Sequence, residues 1–201
     1  MASEFIQPLD TLGPVKETTN DQDEDNPAKK DYREGRKLYS EGAYAQAAIA
    51  FHNALRGFEE QDNQAGVANA ADRLGDACLA RDEYAMAIAN YQRACAICEK
   101  EDDSFSTLAL NKKMAAAYRK LGDQEKALEL LYDMLEHYRL TNNPKGAVEV
   151  LTVIGETYSE QGEKLKAADA YRSVASIHAR FKHARMASEF NRRAAALEQG
   201  E

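Results

Sequence analysis

The chain has 201 residues, 30% of them charged, and a formal net charge of −8. The length suits one domain or one short repeat array, and no apolar run approaches the ~18 residues that a membrane-spanning helix needs. The negative charge disfavours nucleic acid as a partner, because phosphate binding needs an excess of lysine and arginine on one face.

Two further features of the composition suggest where the protein works. The N-terminus has no basic start followed by an apolar core, so we expect no signal peptide. The three cysteines are an odd number, which favours reduced thiols and a cytoplasmic location.

Residues 1–27 differ in composition from the rest of the chain. They hold three of the four prolines, and their seven acidic residues face a single basic one, Lys16, which gives a net charge of −6. This composition predicts a disordered acidic tail. We expect that its removal leaves the following domain, over 28–201, folded.

Helix-capping residues and helical spacing of apolar residues organise the remainder. Asn26 and Pro27 are suited to the N-cap and the first position of a helix, and Asn63, Asp103 and Asn143 occupy equivalent places further on. The predicted helices form four repeats, 28–62, 63–102, 103–142 and 143–182. First helices lie near 28–41, 65–80, 104–120 and 144–160, second helices near 44–60, 83–100, 124–140 and 164–180, and a capping helix near 183–198. The predicted turns within the repeats contain Gly42, Asp82, Gly122 and Gly162.

The four repeats share one register, with a period of 40 residues. A small residue, an alanine and a large apolar residue recur in each, at Gly35, Ala47 and Phe51; Gly75, Ala87 and Tyr91; Ala115, Ala127 and Leu131; and Gly155, Ala167 and Tyr171. A fixed period of 20–50 residues is typical of stacked repeats, which usually work through an extended surface and not through a catalytic pocket.

The recurring residues resemble the tetratricopeptide repeat, whose motif runs L-G-x2-Y and then A-x3-F. Repeat two has Leu74-Gly75-x2-Cys78 and Ala87-x3-Tyr91, and repeat four has Ile154-Gly155-x2-Tyr158 and Ala167-x3-Tyr171. The usual period is 34, and the usual proline after the second helix is absent here. The chain therefore looks like the long-helix variants seen in kinesin light chains and signalling adaptors.

The resemblance implies a fold. It is an all-α, right-handed α-solenoid of four helix pairs plus a C-terminal capping helix. In each pair, the alanine of the second helix is expected to meet the small residue of the first. The large apolar residue is expected to fill the gap towards the next repeat.

The resemblance also implies a binding surface, because first helices of the family line a concave groove. The expected partner-binding residues are Lys29, Tyr32, Arg33, Arg36, Tyr39, Asn69, Arg73, Asp76, Lys112, Lys113, Arg119 and Lys120. Basic residues dominate the groove positions of repeats one and three, which favours an acidic protein or peptide partner. The alternative is that these charges are an ordinary solvated face. The carboxylate clamp of chaperone co-factors is disfavoured, since its places hold Tyr32, Arg36, Arg73, Ala109 and Lys113.

Two functional hypotheses follow. The first is a non-enzymatic protein-interaction module that binds a partner segment in the groove, for which the acidic cluster Asp21–Asp25 is a potential internal competitor. The second is an assembly or regulatory subunit that forms homo-oligomers through the apolar end of the array. We expect no membrane partner, no cofactor and no catalytic residues, because no phosphate loop, nucleophile elbow or H-E-x-x-H motif occurs.

Three further features invite a chemical interpretation. Cys95 and Cys98 form a C-x-x-C pair late in a predicted helix, where the helix dipole disfavours a thiolate, so we predict buried thiols without redox or metal function. His178 and His183 are five residues apart and are predicted not to share a helix face, so no metal site is expected. The segment Met1–Phe5 recurs at Met186–Phe190, and we assign it no role.

Overall fold

The computed structural model describes residues 26–199, which form nine α-helices and no strand. The helices are α1 (Pro27–Ser40), α2 (Tyr44–Glu60), α3 (Gln64–Leu79), α4 (Tyr84–Lys100), α5 (Ser104–Leu121), α6 (Gln124–Leu140), α7 (Pro144–Glu160), α8 (Lys164–Arg180) and α9 (Ala184–Gln199). Every predicted helix is confirmed to within about a residue at each end. The acidic tail lies outside the described residues, apart from Asn26 and Pro27.

The first helices begin at the predicted capping residues. The side-chain oxygen of each capping residue accepts a hydrogen bond of 2.9 to 3.0 Å from a backbone N–H of the first turn. The four capping residues are Asn26, Asn63, Asp103 and Asn143. These bonds satisfy N–H groups that have no partner within the helix. Among the described residues, no helix is long and apolar enough to cross a membrane.

The turn that follows each of the first eight helices has the same geometry. A residue with positive φ recurs every 20 residues, at Gly42, Asp62, Asp82, Asp102, Gly122, Asn142, Gly162 and Lys182. The N–H of the next residue bonds to the carbonyl five positions earlier, at 2.8 to 3.0 Å. This is the Schellman arrangement. Glycine occupies three of the eight places and Asp or Asn four, because these residues tolerate the left-handed conformation best.

Each helix packs against the helices before and after it in the chain. The result is a solenoid in which first helices α1, α3, α5, α7 and α9 form one row and second helices form the other. Helix α9 continues the register of the first helices, since Ala195 lies 40 residues after Gly155. It therefore occupies the first-helix position of a fifth repeat.

The contact inside each repeat differs from the expectation in one respect. A Cβ added at Gly75 would lie only 2.5 Å from the ring of Tyr91 in the same repeat. The large residue, not the alanine, supplies the nearest atoms over the small residue, which was not expected. The same contact joins Gly35 to Phe51 and Gly155 to Tyr171. The large residue also reaches towards the next repeat, as expected, since the ring of Tyr171 lies 5.9 Å from that of Phe190 in α9.

Repeat three follows the same rule with different residues. Its small residue is Ala115, which already carries a Cβ, and its large residue is Leu131, which is shorter than a ring; both are buried. A larger residue on one helix is matched by a smaller one on the other, as close packing requires. The alanines at Ala47, Ala87, Ala127 and Ala167 are all fully buried.

Candidate partner-binding face

The exposed side chains of α1, α3, α5 and α7 form a continuous surface, here called the first-helix face. It carries the twelve residues that the sequence analysis assigned to partner binding, and ion pairs connect one repeat to the next along it. The structure thus brings these residues to one side of the array. It does not leave all of them available to a partner.

A polar cluster joins repeats two and three at the centre of this face. Lys113 of α5 lies 2.6 Å from an Asp72 oxygen and 2.8 Å from an Asp76 oxygen of α3. Asp76 also accepts hydrogen bonds from Arg73 at 3.1 Å and from the Tyr91 hydroxyl at 2.9 Å. Burial, together with Asp76, raises the pKa of Tyr91, so this hydroxyl stays protonated and remains a donor.

A second set of ion pairs joins repeats three and four. Arg119 of α5 lies 2.6 Å from Glu160 and 3.5 Å from Glu156, both in α7. Lys112 of α5 lies 3.3 Å from Glu149 of α7. The arginine is largely covered, since 19% of its side chain is exposed.

These pairs correct the picture of a free basic band in repeat three. Lys112, Lys113 and Arg119 are each engaged by carboxylates of a neighbouring repeat. Lys120 is exposed and has no ion-pair partner among the described residues. The opposite charges of repeats two, three and four therefore pair with one another along this face.

The sequence contained a signal for this pairing. Opposite charges are separated by 41 residues in Asp72–Lys113 and Arg119–Glu160, and by 37 residues in Asp76–Lys113, Lys112–Glu149 and Arg119–Glu156. Neighbouring first helices lie side by side, and equivalent residues in them are 40 positions apart in the sequence. A residue 37 or 41 positions away therefore lies on the neighbouring helix within about one turn of the equivalent position. Testing for charge pairs near the repeat period would have found them.

The repeat-one end of the face has a different character. Tyr39 is partly exposed and its ring lies 5.2 Å from that of Tyr44. Burial, followed by the nearby Asp76, raises the pKa of Tyr39. Arg36 and Asn69 are exposed, and neither has a hydrogen-bond or ion-pair partner among residues 26–199. Tyr32 is half-buried and packs on Phe51, with ring centroids 5.7 Å apart.

The cysteines are buried and unpaired. Burial and a contact of 3.4 Å with Glu99 raise the pKa of the Cys95 thiol to about 12. Burial likewise raises the pKa of Cys98 and Cys78. The C-x-x-C pair thus lacks the stabilised thiolate that a redox pair requires, and the prediction of buried thiols is confirmed.

The two histidines lie close together although they do not share a helix face. His178 lies in the last turn of α8 and His183 precedes α9, and the turn between them brings their Nδ1 atoms to 3.4 Å. The spacing rule for one helix does not apply to them, because the Schellman turn at Lys182 reverses the chain between the two residues. Within the described part of the chain, no group of three or more metal-ligating residues occurs.

Comparisons with known proteins agree with this architecture. Residues 106–180 match the sequence model of the tetratricopeptide repeat family. No curated protein sequence matches the chain.

Solved structures share the fold at low sequence identity. The apo form of RapI has a TM-score of 0.74 and 18% identity, over 87% of this chain and 49% of that one. A putative kinesin light chain from Podosopora anserina, with nearly identical TPR-like repeats, has a TM-score of 0.66 and 16% identity over 87% and 97% of the two chains. The Rap conjugation gene regulator of plasmid pLS20, in complex with the Phr* peptide, has a TM-score of 0.62 and 13% identity over 98% and 60%.

The chain thus spans about half the length of RapI, 49%, and most of the kinesin light chain repeats. At such identities the likeness shows the fold alone. Residues 106–180 match the tetratricopeptide repeat, and the repeats before them have the same helix pairing, so the chain is an array of tetratricopeptide-like repeats.

Proposed function

We propose that the protein is a non-enzymatic interaction module that binds a protein or peptide segment along its first-helix face. The observation that carries this proposal is the exposure of Arg36 and Tyr39 on α1 and of Asn69 on α3, beside the paired charges of repeats two to four. The fold supports it too, since the Rap regulator in complex with the Phr* peptide is an array of this kind.

The partner segment is acidic or ends in a carboxylate, and it enters at the repeat-one end. There, Arg36 offers a guanidinium that no carboxylate of the described chain occupies. In repeat three an acidic partner has to compete with Asp72, Asp76 and Glu160 for the same cations. The location of the free charge, not the total charge of the face, therefore decides where a carboxylate binds.

Charge alone does not give tight binding, because exposed ion pairs contribute about 0–1 kcal/mol each. Tyr39 supplies an aromatic surface for an apolar side chain of the partner. The Asn69 amide both donates and accepts hydrogen bonds, which suits a peptide backbone. Together these three residues offer a charge, an apolar contact and a backbone contact on α1 and α3.

The test begins with selection of random displayed peptides on the full-length protein. We expect the selected peptides to be rich in Asp and Glu, and to bind more weakly at high salt in fluorescence anisotropy. Arg36→Glu and Asn69→Ala should weaken binding, whereas Lys100→Ala, which removes an exposed cation at the end of second helix α4, should not. Salt-insensitive binding, or loss of binding in the Lys100 variant alone, would refute the role of this face.

The acidic tail provides a second arm of the experiment. If Asp21–Asp25 compete with the partner, deletion of residues 1–25 should strengthen binding of the selected peptide and leave the melting temperature unchanged. Loss of cooperative melting would show that the tail is needed for folding and would contradict its assignment as a separate segment.

The alternative function is self-association through the α9 end. An open groove of 570 Å³ lies between the end of α8 and α9, lined by four alanines, among them Ala184 and Ala195, and by four polar residues, among them Lys182 and Arg192. In complete repeats the equivalent face is covered by a second helix. Light scattering over a range of concentrations distinguishes the two functions. A monomer at all concentrations excludes self-association, and a dimer disrupted by Ala184→Glu, at an exposed position of the groove, supports it.

A further inference from the structure

The turn between α8 and α9 places two imidazole rings against each other. Their Nδ1 atoms are 3.4 Å apart and their ring centroids 5.6 Å apart. The backbone N–H of His183 donates to the carbonyl of His178 at 2.9 Å. Because that bond closes the turn, the separation of the two residues is fixed by the backbone and does not depend on a flexible loop.

Two phenylalanines support the rings. His178 stacks on Phe190 of α9, with centroids 5.9 Å apart and planes 21° apart. His183 stacks on Phe181, with centroids 6.4 Å apart and planes 29° apart. Nε2 of His178 is buried and has no hydrogen-bond partner among the described residues. Nδ1 is therefore the nitrogen through which His178 can reach a ligand.

We propose that His178 and His183 form a two-histidine chelating site for a divalent transition metal, of the class that includes Zn²⁺. Zinc–imidazole bonds are about 2.0–2.1 Å long, so two nitrogens at a tetrahedral angle lie roughly 3.4 Å apart. The distance between the two Nδ1 atoms already has this value. Imidazole is a preferred ligand of zinc, copper and nickel, and a metal bound here would replace the hydrogen bond between the two nitrogens.

The surroundings define what kind of site this is. The carbonyl end of α8 carries a partial negative charge, which favours a cation, whereas Arg180, Lys182 and Arg185 flank the pair in sequence and oppose one. No further His, Cys, Asp or Glu among the described residues completes the coordination. The remaining positions are therefore left to water or to a group on another molecule, and the metal exchanges readily. When bound, it ties α8 to α9.

The experiment is a calorimetric titration of the full chain with Zn²⁺ alone, together with thermal melts with and without the metal. We expect one saturable site per chain and a higher melting temperature in the presence of Zn²⁺. His183→Ala should weaken binding by about a hundredfold or more, because it converts a chelate into a single ligand.

Matched variants separate the metal site from general effects. His52→Ala removes an exposed histidine of α2 and should leave both binding and the metal-dependent melting shift unchanged. His183 is exposed, so its variant tests the site without opening the packing around Phe190, as His178→Ala would. Absence of saturable binding, or binding that persists unchanged in His183→Ala, would overturn the proposal.

Discussion

Replacement of Gly75 by alanine tests the contact that sets the distance between helices in each repeat. The added Cβ would lie 2.5 Å from Cε1 and 2.7 Å from Cδ1 of Tyr91. Tyr91 is fully buried, and its hydroxyl donates to Asp76 at 2.9 Å. The ring therefore cannot move aside without disturbing both its packing and this hydrogen bond.

Two opposing effects decide the sign. Alanine is more favourable than glycine within a helix by about 1 kcal/mol. Overpacking of the core costs about 1–3 kcal/mol, and weakening of the Tyr91 hydrogen bond costs up to about 1 kcal/mol. We therefore expect Gly75→Ala to lower the free energy of unfolding by about 1–2 kcal/mol.

Repeat three supplies the matched control, since it carries Ala115 and Leu131 at the equivalent positions. In a chain that also carries Tyr91→Leu, the added methyl group has space, and Gly75→Ala should instead stabilise the protein by up to about 1 kcal/mol. Urea unfolding of the unchanged protein, the two single variants and the double variant, monitored by circular dichroism, measures this difference. A stabilising effect of Gly75→Ala with Tyr91 intact, or the same effect in both backgrounds, would refute the reasoning.

Three other predictions concern the core, the first-helix face and the cysteines. Ala87→Leu should lower the free energy of unfolding by about 1–3 kcal/mol, since Ala87 is fully buried. Ala89→Leu, on the exposed side of α4, should leave it unchanged. An unchanged melting temperature for Ala87→Leu would mean that the helix register is wrong. Lys113→Gln should lower the free energy of unfolding in urea by up to about 1 kcal/mol, and by less at high salt, because its ion pairs are partly exposed. An equal loss for Lys120→Gln would contradict the role given to these ion pairs. With a pKa of about 12, the Cys95 thiol should react with iodoacetamide roughly a thousandfold more slowly near neutral pH than an ordinary thiol; rapid labelling of the folded protein in mass spectrometry would contradict the burial of this side chain.

The sequence by itself determined the local structure. The capping residues, the turn residues and the helical spacing of apolar side chains all act within a few positions of one another, so they can be recognised without knowledge of the fold. The fixed register then indicated a stacked array, because one helix pair cannot bury both of its faces. Asn26, Asn63 and Asn143 illustrate this, since each begins a helix where the sequence placed one.

Only the tertiary structure decided how side chains of different helices meet. It placed the ring of Tyr91 over Gly75, paired Lys113 with Asp72 and Asp76, and brought His178 and His183 together across a turn. Each of these contacts depends on the direction and spacing of two helices. A pattern within one helix specifies which face is buried, but the offset between helices is fixed by packing across the interface.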